Sequence, residues 1–378
     1  MVKIYYIHTT NPDKSIDIEF LTDLFNKNPN WIAYNDTDKS IDNKIDNKHD
    51  KKHDKKHDKK IDFSYIIGKY KSIPTEISYR FTTSHRNYLT NKSILWKTIM
   101  NEDKNFYNKY MVHHYEIDAE NIEKNKHIFQ NNKLLIIRPD WAFERQGISI
   151  INNFDSFKNY MNKKGKYMLT KIKQRHPNEK HNFIASEYIQ NILLYKNKVT
   201  DFRVFFLVSY INNIYRGYLI KPIIMNLGQL ERTKFNIYNI NENITTAHGT
   251  TDNYLKDLIP EVGKENYIKI KNQILEILSF LFKLIKKYKI MEVYSDQNNA
   301  YEIFGLDFIS DDKYNVKLIE FNEKTGLGDY EDFIYQNIAN CIINATINKK
   351  YEDKYKIALN ENIRNKFIRI RSRMIVKI

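Results

Sequence analysis

The sequence predicts a mixed α/β (α+β) fold, and three segments carry this prediction. Residues 201–210 and 214–224 are apolar, strand-like runs separated by Asn212-Asn213, which is typical of a β-hairpin. Residues 301–309 and 314–321 alternate aromatic and aliphatic side chains around a polar turn and predict a second hairpin. Between the two hairpins, residues 268–288 repeat apolar side chains at helical spacing and predict a long amphipathic helix.

The remaining elements follow from shorter patterns. Apolar runs predict strands, and residue 139 is a proline that ends one of them. The predicted strands are residues 1–8, 63–68, 134–138, 148–151 and 183–189, and the predicted helices are residues 93–100 (with Ser93 or Thr90 as N-cap), 154–161 and 332–348. Residues 163–181 are basic and polar and are predicted to form a loop, and residues 364–377 are predicted to be either a strand or a basic tail.

One segment near the N-terminus has low complexity. Residues 38–62 contain three tandem copies of KHDK, from Lys48 to Lys59, and offer no apolar face. Such a segment is predicted to be a solvated, disordered insertion. A metal-binding tract is the alternative, because His49, His53 and His57 would stack on one face of a helix.

Composition narrows the class of protein. The chain has 378 residues, enough for two or three lobes, and a net charge of +15, which favours polyanionic partners. Its single cysteine, Cys341, excludes a disulfide framework and fits a reducing, cytoplasmic compartment. We find no signal-peptide pattern and no apolar run of membrane-spanning length, so no membrane partner is expected.

The second hairpin places polar side chains together. A turn near Asp312-Lys313 sets Asp307 roughly opposite Glu320, and Asn322 shares a face with Glu320 because side chains two apart in a strand point the same way. Two carboxylates and an amide oxygen suit Mg²⁺, which leaves its other positions to phosphates and water. Alternatively, these polar residues merely end two strands.

Several separated motifs, in this order, resemble the tubulin–tyrosine ligase-like family of the ATP-grasp superfamily over roughly residues 80–345. The strand VTDFRVFFLV and the D…EFN hairpin are the most specific of them. The matching pieces are Leu89–Leu95 (LTNKSIL), Ile136–Pro139 (IIRP), Arg145–Ile148 (RQGI), Ser186–Ile189 (SEYI), Val199–Val208 (VTDFRVFFLV), His248–Thr251 (HGTT) and Asp307 with Glu320-Phe321-Asn322.

The resemblance implies an ATP-grasp fold with an N-terminal lobe preceding two nucleotide-binding lobes. The N-terminal lobe would span residues 1–130 and carry the insertion, and the central lobe would span residues 131–190. The C-terminal lobe, residues 191–350, would hold the Mg²⁺ site, and residues 351–378 would form a basic C-terminal segment.

The implied activity is ATP- and Mg²⁺-dependent ligation of a carboxylate to an amine through an acyl phosphate, with Mn²⁺ as a substitute metal. The partners would be ATP, a free amino acid such as Tyr, Glu or Gly, and an acidic protein or peptide acceptor such as a tubulin-like tail. By resemblance, the metal ligands are Asp307, Glu320 and Asn322; the ATP-binding residues are Lys92, Arg138, Gln146, Gly147, Glu187, Tyr188, Ile189, Lys198 and Asp201; and the catalytic or acceptor-site residues are Arg203, His248 and Thr250.

The chain departs from the family pattern at defined positions. Arg138 stands where a lysine is usual, Glu187 replaces a hinge lysine, and Thr251 stands in place of an asparagine. These departures motivate one alternative, a non-catalytic relative that binds acidic tails or nucleic acid. Nucleic acid is the less favoured partner, because no nucleic-acid-binding motif is found. A ligase of small molecules is a further alternative, since nothing in the acceptor region excludes it.

Overall fold

The computed structural model describes the strands and helices that surround the predicted site. The described residues are 3–9, 22, 25, 31–33, 63–67, 80–81, 87–130, 133–139, 147–175, 183–237, 239–245, 253–291, 299–322, 332–346 and 375–377. The KHDK segment lies outside them, as do three of the predicted site residues, Gln146, His248 and Thr250.

The largest sheet has seven strands and is built on the two predicted hairpins. Its strands are β4 (Arg80–Phe81), β9 (Leu194–Tyr195), β10 (Lys198–Ile211), β11 (Ile214–Leu227), β12 (Asn299–Ser310), β13 (Val316–Asn322) and β14 (Ile375–Lys377). The order is β13-β12-β10-β11-β14, with β4 on β12 and β9 on β10. The predicted Asn212-Asn213 turn is confirmed: φ is 51° and 62°, as a two-residue hairpin turn requires.

A second sheet of four antiparallel strands faces a layer of helices. Its strands are β5 (His114–Ile117), β6 (Leu135–Pro139), β7 (Ser149–Ile151) and β8 (Phe183–Glu187), in the order β5-β8-β6-β7. A third, parallel sheet near the N-terminus has the order β2-β1-β3 and consists of β1 (Lys3–Thr9), β2 (Trp31–Ala33) and β3 (Phe63–Ile67).

The helices account for most of the remaining described chain. They are α1 (Asn87–Thr90), α2 (Lys92–Glu102), α3 (Lys104–Tyr110), α4 (Phe154–Tyr160), α5 (Lys166–Arg175), α6 (Ile240–Asn243), α7 (Ile259–Lys287) and α8 (Asp332–Thr346). Short 3-10 helices span Ile122–Phe129 and Leu255–Leu258, and a π-helical turn, Met161–Gly165, joins α4 to α5. None of the described helices is long and apolar enough to cross a membrane.

The prediction of a loop at residues 163–181 is wrong for residues 163–175, which are helical. Met161, Met168 and Ile172 are buried against the four-stranded sheet at helical spacing. The lysines between them occupy the exposed side. This sparse apolar stripe is masked in the sequence by the surrounding charge.

The amphipathic helix and the helix after residue 92 are confirmed, with different starts. Helix α7 begins at Ile259 and changes direction at Gly263, where φ is 79°. It packs on the largest sheet, and their contact forms the main apolar core. The N-cap of α2 is Asn91 rather than Ser93 or Thr90, because its Oδ1 accepts a hydrogen bond from the Ile94 amide at 3.0 Å.

Candidate nucleotide and metal site

The β12–β13 hairpin brings the predicted acidic residues together. Asp307 pairs directly with Glu320, and Gly305 pairs with Asn322, so the predicted register is confirmed. A bulge follows, in which Phe308 pairs with Leu318 and Ile319 is the extra residue. The bulge lets Phe308 and Leu318 enter the core while Asp307 and Glu320 share the opposite face.

The three polar side chains are within hydrogen-bond reach of one another. The Asn322 Nδ2 group donates to Asp307 Oδ2 at 3.2 Å and to Glu320 Oε1 at 2.8 Å. Two carboxylates and one amide suit Mg²⁺, because phosphates and water complete its coordination. No cluster of three or more His, Cys, Asp or Glu residues arranged for a metal occurs among the described residues. The hairpin set itself consists of two carboxylates and one amide, so a metal held there would need phosphate or water oxygens as further ligands.

Arg203 binds the first carboxylate with both arms of its guanidinium. It pairs with Asp307 in the register of β10 and β12, its Nε donates to Asp307 Oδ1 at 2.5 Å, and its Nη2 donates to Oδ2 at 3.1 Å. This geometry is the strong, bidentate form of an ion pair. Arg203 is thus ion-paired with Asp307 across the two neighbouring strands.

Lys92 reaches the second carboxylate from a different element. Its Nζ lies 3.5 Å from Glu320 Oε2, and both side chains are mostly buried. The Asn91 cap fixes the start of α2 and so places Lys92 in the first helical turn. Lys92 is therefore held at the carboxylates by a capped helix.

Arg138 approaches the same hairpin from the four-stranded sheet. It is 8% exposed, and its Nη2 lies 3.5 Å from the carbonyl oxygen of Ile319. Leu135 and Ile137 point into the core beneath α4 and α5, so alternation along β6 sends Arg138 to the other face. Cations from three elements, β6, β10 and α2, thus meet at the hairpin.

The pKa values of the two carboxylates shift in opposite directions. Burial raises the pKa of Asp307 well above its usual range; Arg203 opposes this shift, and Glu320 and Asp201 reinforce it. Burial also acts to raise the pKa of Glu320, but Lys92, the hydrogen bond with Asp307 and Arg138 outweigh it and hold that pKa well below its usual range. The pair therefore titrates with opposite shifts, as expected for adjacent carboxylates.

Asp201 lies on the same face of β10 as Arg203 and is held by two neighbours. Asn226 Nδ2 donates to its Oδ1 at 2.6 Å, and the Thr245 hydroxyl donates to its Oδ2. Burial raises its pKa, against these two hydrogen bonds and the charge of Arg203. Asn226 was not predicted; its position opposite Asp201 in β11 is visible only once the hairpin register is known.

Lys198 is not brought to the cluster. Its Nζ donates to the carbonyl oxygen of Gln229 at 3.3 Å. Lys198 is three residues from Asp201 on one strand, so the two side chains leave opposite faces.

The predicted hinge, Glu187 to Ile189, lines a cavity of about 260 Å³. The other lining residues are Tyr107, Asn108, Met111, Val112, His113 and Lys317. Lys317 pairs with Ile309 across the hairpin, on the face that also carries Asp307. Lys317 therefore connects the cavity to the face of the hairpin that carries the carboxylates.

The hinge side chains have structural partners. Glu187 pairs with Lys133, and Tyr115 Oη donates to Glu187 Oε1 at 3.4 Å. Tyr188 Oη donates to the Asn243 carbonyl oxygen at 3.0 Å, and its ring stacks on Phe235 at 5.7 Å. The backbone amides of Glu187 and Tyr188 also donate to the carbonyl oxygens of His113 and Leu134, at 2.9 and 2.8 Å, so both side chains and backbone fix the segment.

Gly147 packs against the end of β6. Its φ is 78°, and a Cβ there would lie 2.8 Å from Pro139 Cγ and 3.0 Å from Met168 Cγ. Its carbonyl oxygen accepts a hydrogen bond from Tyr160 Oη at 2.5 Å. Pro139, the residue after Arg138, therefore packs so closely on residue 147 that only glycine fits there without strain.

The site combines cations from three elements with two carboxylates and an amide, and a cavity lies near it. Enzymes that transfer phosphoryl groups use sites of this kind. Residues 80–280 and 251–361 match the model of the tubulin-tyrosine ligase family, so the chain belongs to that family. Membership indicates an ATP-dependent amino acid–protein ligase, and the antiparallel α/β sheets agree with the family's ATP-grasp-like fold. A search of curated proteins found no match.

Proposed function

We propose that the protein is an ATP- and Mg²⁺-dependent ligase that joins an amino acid to a carboxylate of an acidic protein or peptide. The observation that carries this proposal is the hairpin cluster, in which Asp307, Glu320 and Asn322 share one face with Arg203 and Lys92 as their cationic partners. In the reaction, the γ-phosphoryl group of ATP passes to the acceptor carboxylate, giving an acyl phosphate and ADP. The amine then attacks the acyl carbon, and phosphate leaves.

Asp307, Glu320 and Asn322 would hold Mg²⁺, which when bound neutralises charge on the transferred phosphoryl group. Lys92 on α2 and Arg138 on β6 bind phosphate oxygens. Arg203 donates to oxygen atoms that gain charge as the phosphoryl group moves, and such preorganised donors stabilise the transition state.

The remaining predicted residues bound the site. The backbone of Tyr188 and Ile189 frames the adenine in the hinge cavity, and Asp201 reaches the ribose or the phosphates of the nucleotide. Gly147 and Gln146 cover the phosphates. His248 and Thr250 border the acceptor.

Two features support an acidic acceptor. The chain carries a net charge of +15, and the helical segment that follows α4 exposes Lys163, Lys166, Lys171 and Lys173 on the side away from its buried stripe. Opposite charge steers a polyanionic chain toward such a surface and raises its rate of association.

The test is ADP release by the purified full chain with Mg²⁺, a mixture of amino acids and an acidic peptide. We expect turnover that requires Mg²⁺ and falls at least a hundredfold in Glu320→Gln, which keeps the shape but removes one negative ligand. Glu276→Gln is the matched control, because Glu276 lies on the exposed side of α7 and pairs with Lys109. We expect this variant to keep full activity.

Mass spectrometry of the acceptor identifies the product. A mass increase of one or more amino acid residues on the peptide supports the proposal. Absence of ATP binding across a range of Mg²⁺ concentrations would refute it, and acidic-peptide binding that ATP does not affect would favour the non-catalytic alternative. If ATP is turned over with a small-molecule acceptor but not with the peptide, the acceptor is a metabolite and not a protein.

A further inference from the structure

Helix α2 contacts both sheets that form the site. Lys92, in its first turn, lies 3.5 Å from Glu320 on β13. Trp96, one turn later on the same side of the helix, stacks on His114 of β5, with ring centroids 5.7 Å apart and planes inclined by 5°. The helix therefore ties the four-stranded sheet to the hairpin that carries the carboxylates.

His114 and Arg138 lie on the same face of the four-stranded sheet. His114 pairs with Ser186, and Ser186 pairs on its other side with Ile136, which is two residues before Arg138. Side chains two apart in a strand share a face, so His114 and Arg138 both project away from the core beneath α4 and α5. The imidazole therefore packs on the indole of Trp96 on the same sheet face that carries Arg138.

The imidazole is fixed and uncharged. His114 is 6% exposed, and its backbone amide donates to Tyr107 Oη at 3.0 Å. Burial and the charge of Arg138 lower the pKa of His114 to about 3, so the ring is neutral near pH 7. A neutral ring provides a flat surface near Arg138 without a second positive charge.

The indole is held by packing. Trp96 is 8% exposed, and its Nε1 has no hydrogen-bond partner among the residues that the structure describes. An aromatic side chain without the N–H group would therefore satisfy the same contact.

We propose that the Trp96–His114 stack is a positioning pair that sets Arg138 relative to Lys92 and so determines affinity for the phosphates of the nucleotide. The inference rests on the proposed use of ATP. Neither ring touches the nucleotide; both act through Arg138 and through the placement of α2. Loss of either ring leaves a void that lets Arg138 and Lys92 move apart, which weakens their joint hold on the phosphates.

The test is the dissociation constant of a non-hydrolysable ATP analogue with Mg²⁺, measured by calorimetry on the full chain. We expect Trp96→Leu and His114→Leu each to weaken binding about tenfold, which corresponds to about 1.4 kcal/mol. The double variant should lose little more than either single one, because residues that act as a unit are non-additive. His114→Phe and Trp96→Phe should remain within threefold of the wild type, because each keeps an aromatic ring.

The matched control is Lys124→Met. Lys124 lies in the short 3-10 helix that follows β5 and forms an exposed ion pair with Asp118. Exposed pairs contribute little, so this variant should bind the analogue as the wild type does. Binding of the acidic peptide should be unchanged in every variant, which separates loss of positioning from general loss of folding.

Wild-type affinity in a folded Leu variant, or additive losses in the double variant, would overturn the inference. If the Leu variants do not fold, His114→Gln and His114→Phe decide the matter: equal affinities for the analogue would also overturn it. A wild type that does not bind the analogue would remove the proposed function together with the inference. If the wild type and all folded variants bind the analogue with equal affinity, only the inference is refuted and the proposed function stands.

Discussion

Substitution of Gly147 by alanine tests whether the end of β6 is as tightly constrained as the structure indicates. The residue has φ of 78°, and the added Cβ would lie 2.8 Å from Pro139 Cγ. An L-residue in the left-handed region costs about 1–2 kcal/mol. Overlap with a rigid ring adds about 1–3 kcal/mol, because a proline ring cannot rotate away. The smaller entropy of the unfolded alanine chain returns about 0.4–1 kcal/mol, which leaves a net loss of about 1–4.6 kcal/mol.

The matched control is Gly165→Ala in the π-helical turn. Its Cβ would meet Met161 Sδ at 3.0 Å, but that atom lies near the end of a flexible side chain, and φ of Gly165 is not in the left-handed region. Alanine also favours helix over glycine by about 1 kcal/mol. We therefore expect Gly165→Ala to change the free energy of unfolding by less than about 1 kcal/mol.

Chemical denaturation followed by circular dichroism measures both variants, and calorimetry with the ATP analogue measures the consequence for the site. Because Gly147 presses on Pro139, next to Arg138, we expect Gly147→Ala to weaken nucleotide binding as well as stability. Equal unfolding free energies for Gly147→Ala and Gly165→Ala would refute the strain argument. A destabilised Gly147→Ala that binds the nucleotide normally would refute the link to Arg138.

Two further predictions concern charge. Arg203→Lys should lower kcat/KM for ATP by at least tenfold in a steady-state assay. Lysine cannot form two parallel hydrogen bonds to Asp307, and the lost charge-assisted hydrogen bond contributes about 1.5–3 kcal/mol. Arg216→Lys on β11 is the control, and an equal loss in both variants would contradict the prediction. The low pKa of His114, caused first by burial and then by Arg138, should make stability fall as pH drops from about 6.5 towards 3, because only the unfolded state takes up the proton in that window. In His114→Phe the free energy of unfolding should fall less steeply with decreasing pH, by up to about 1.4 kcal/mol per pH unit, and identical slopes in denaturation series at pH 4–7 would contradict this.

The elements predicted best are those whose pattern is local. The β12–β13 hairpin alternates in period two around a polar turn, so its register and the pairing of Asp307 with Glu320 could be predicted from the chain alone. The same holds for the Asn212-Asn213 turn, because left-handed backbone at two successive residues favours asparagine. In both cases the residues that determine the geometry are adjacent in sequence.

The wrong prediction and the contacts that could not be predicted depend on segments that are distant in sequence. Arg203 binds Asp307 because β10 lies beside β12, and a sequence does not state which strands are neighbours. The helix at residues 166–175 was predicted as a loop because its apolar stripe is narrow and is covered only by the four-stranded sheet. The Trp96–His114 stack joins α2 to β5, two elements that do not adjoin in sequence, and no pattern in the sequence indicates that the two rings meet.

The register of the largest sheet also explains why the cations and carboxylates of the site stay balanced. Arg203 and Asp307 are direct neighbours on β10 and β12, and Lys92 reaches Glu320, so each carboxylate has a cation of the chain beside it. An uncompensated charge at this depth would cost several kcal/mol. A divalent cation bound by the carboxylates would weaken their hold on Arg203 and Lys92, and phosphate oxygens would be the natural replacement partners for both. Under the proposed function, the metal would therefore take over the carboxylates and the phosphates would take over Arg203 and Lys92, so metal and nucleotide would bind together.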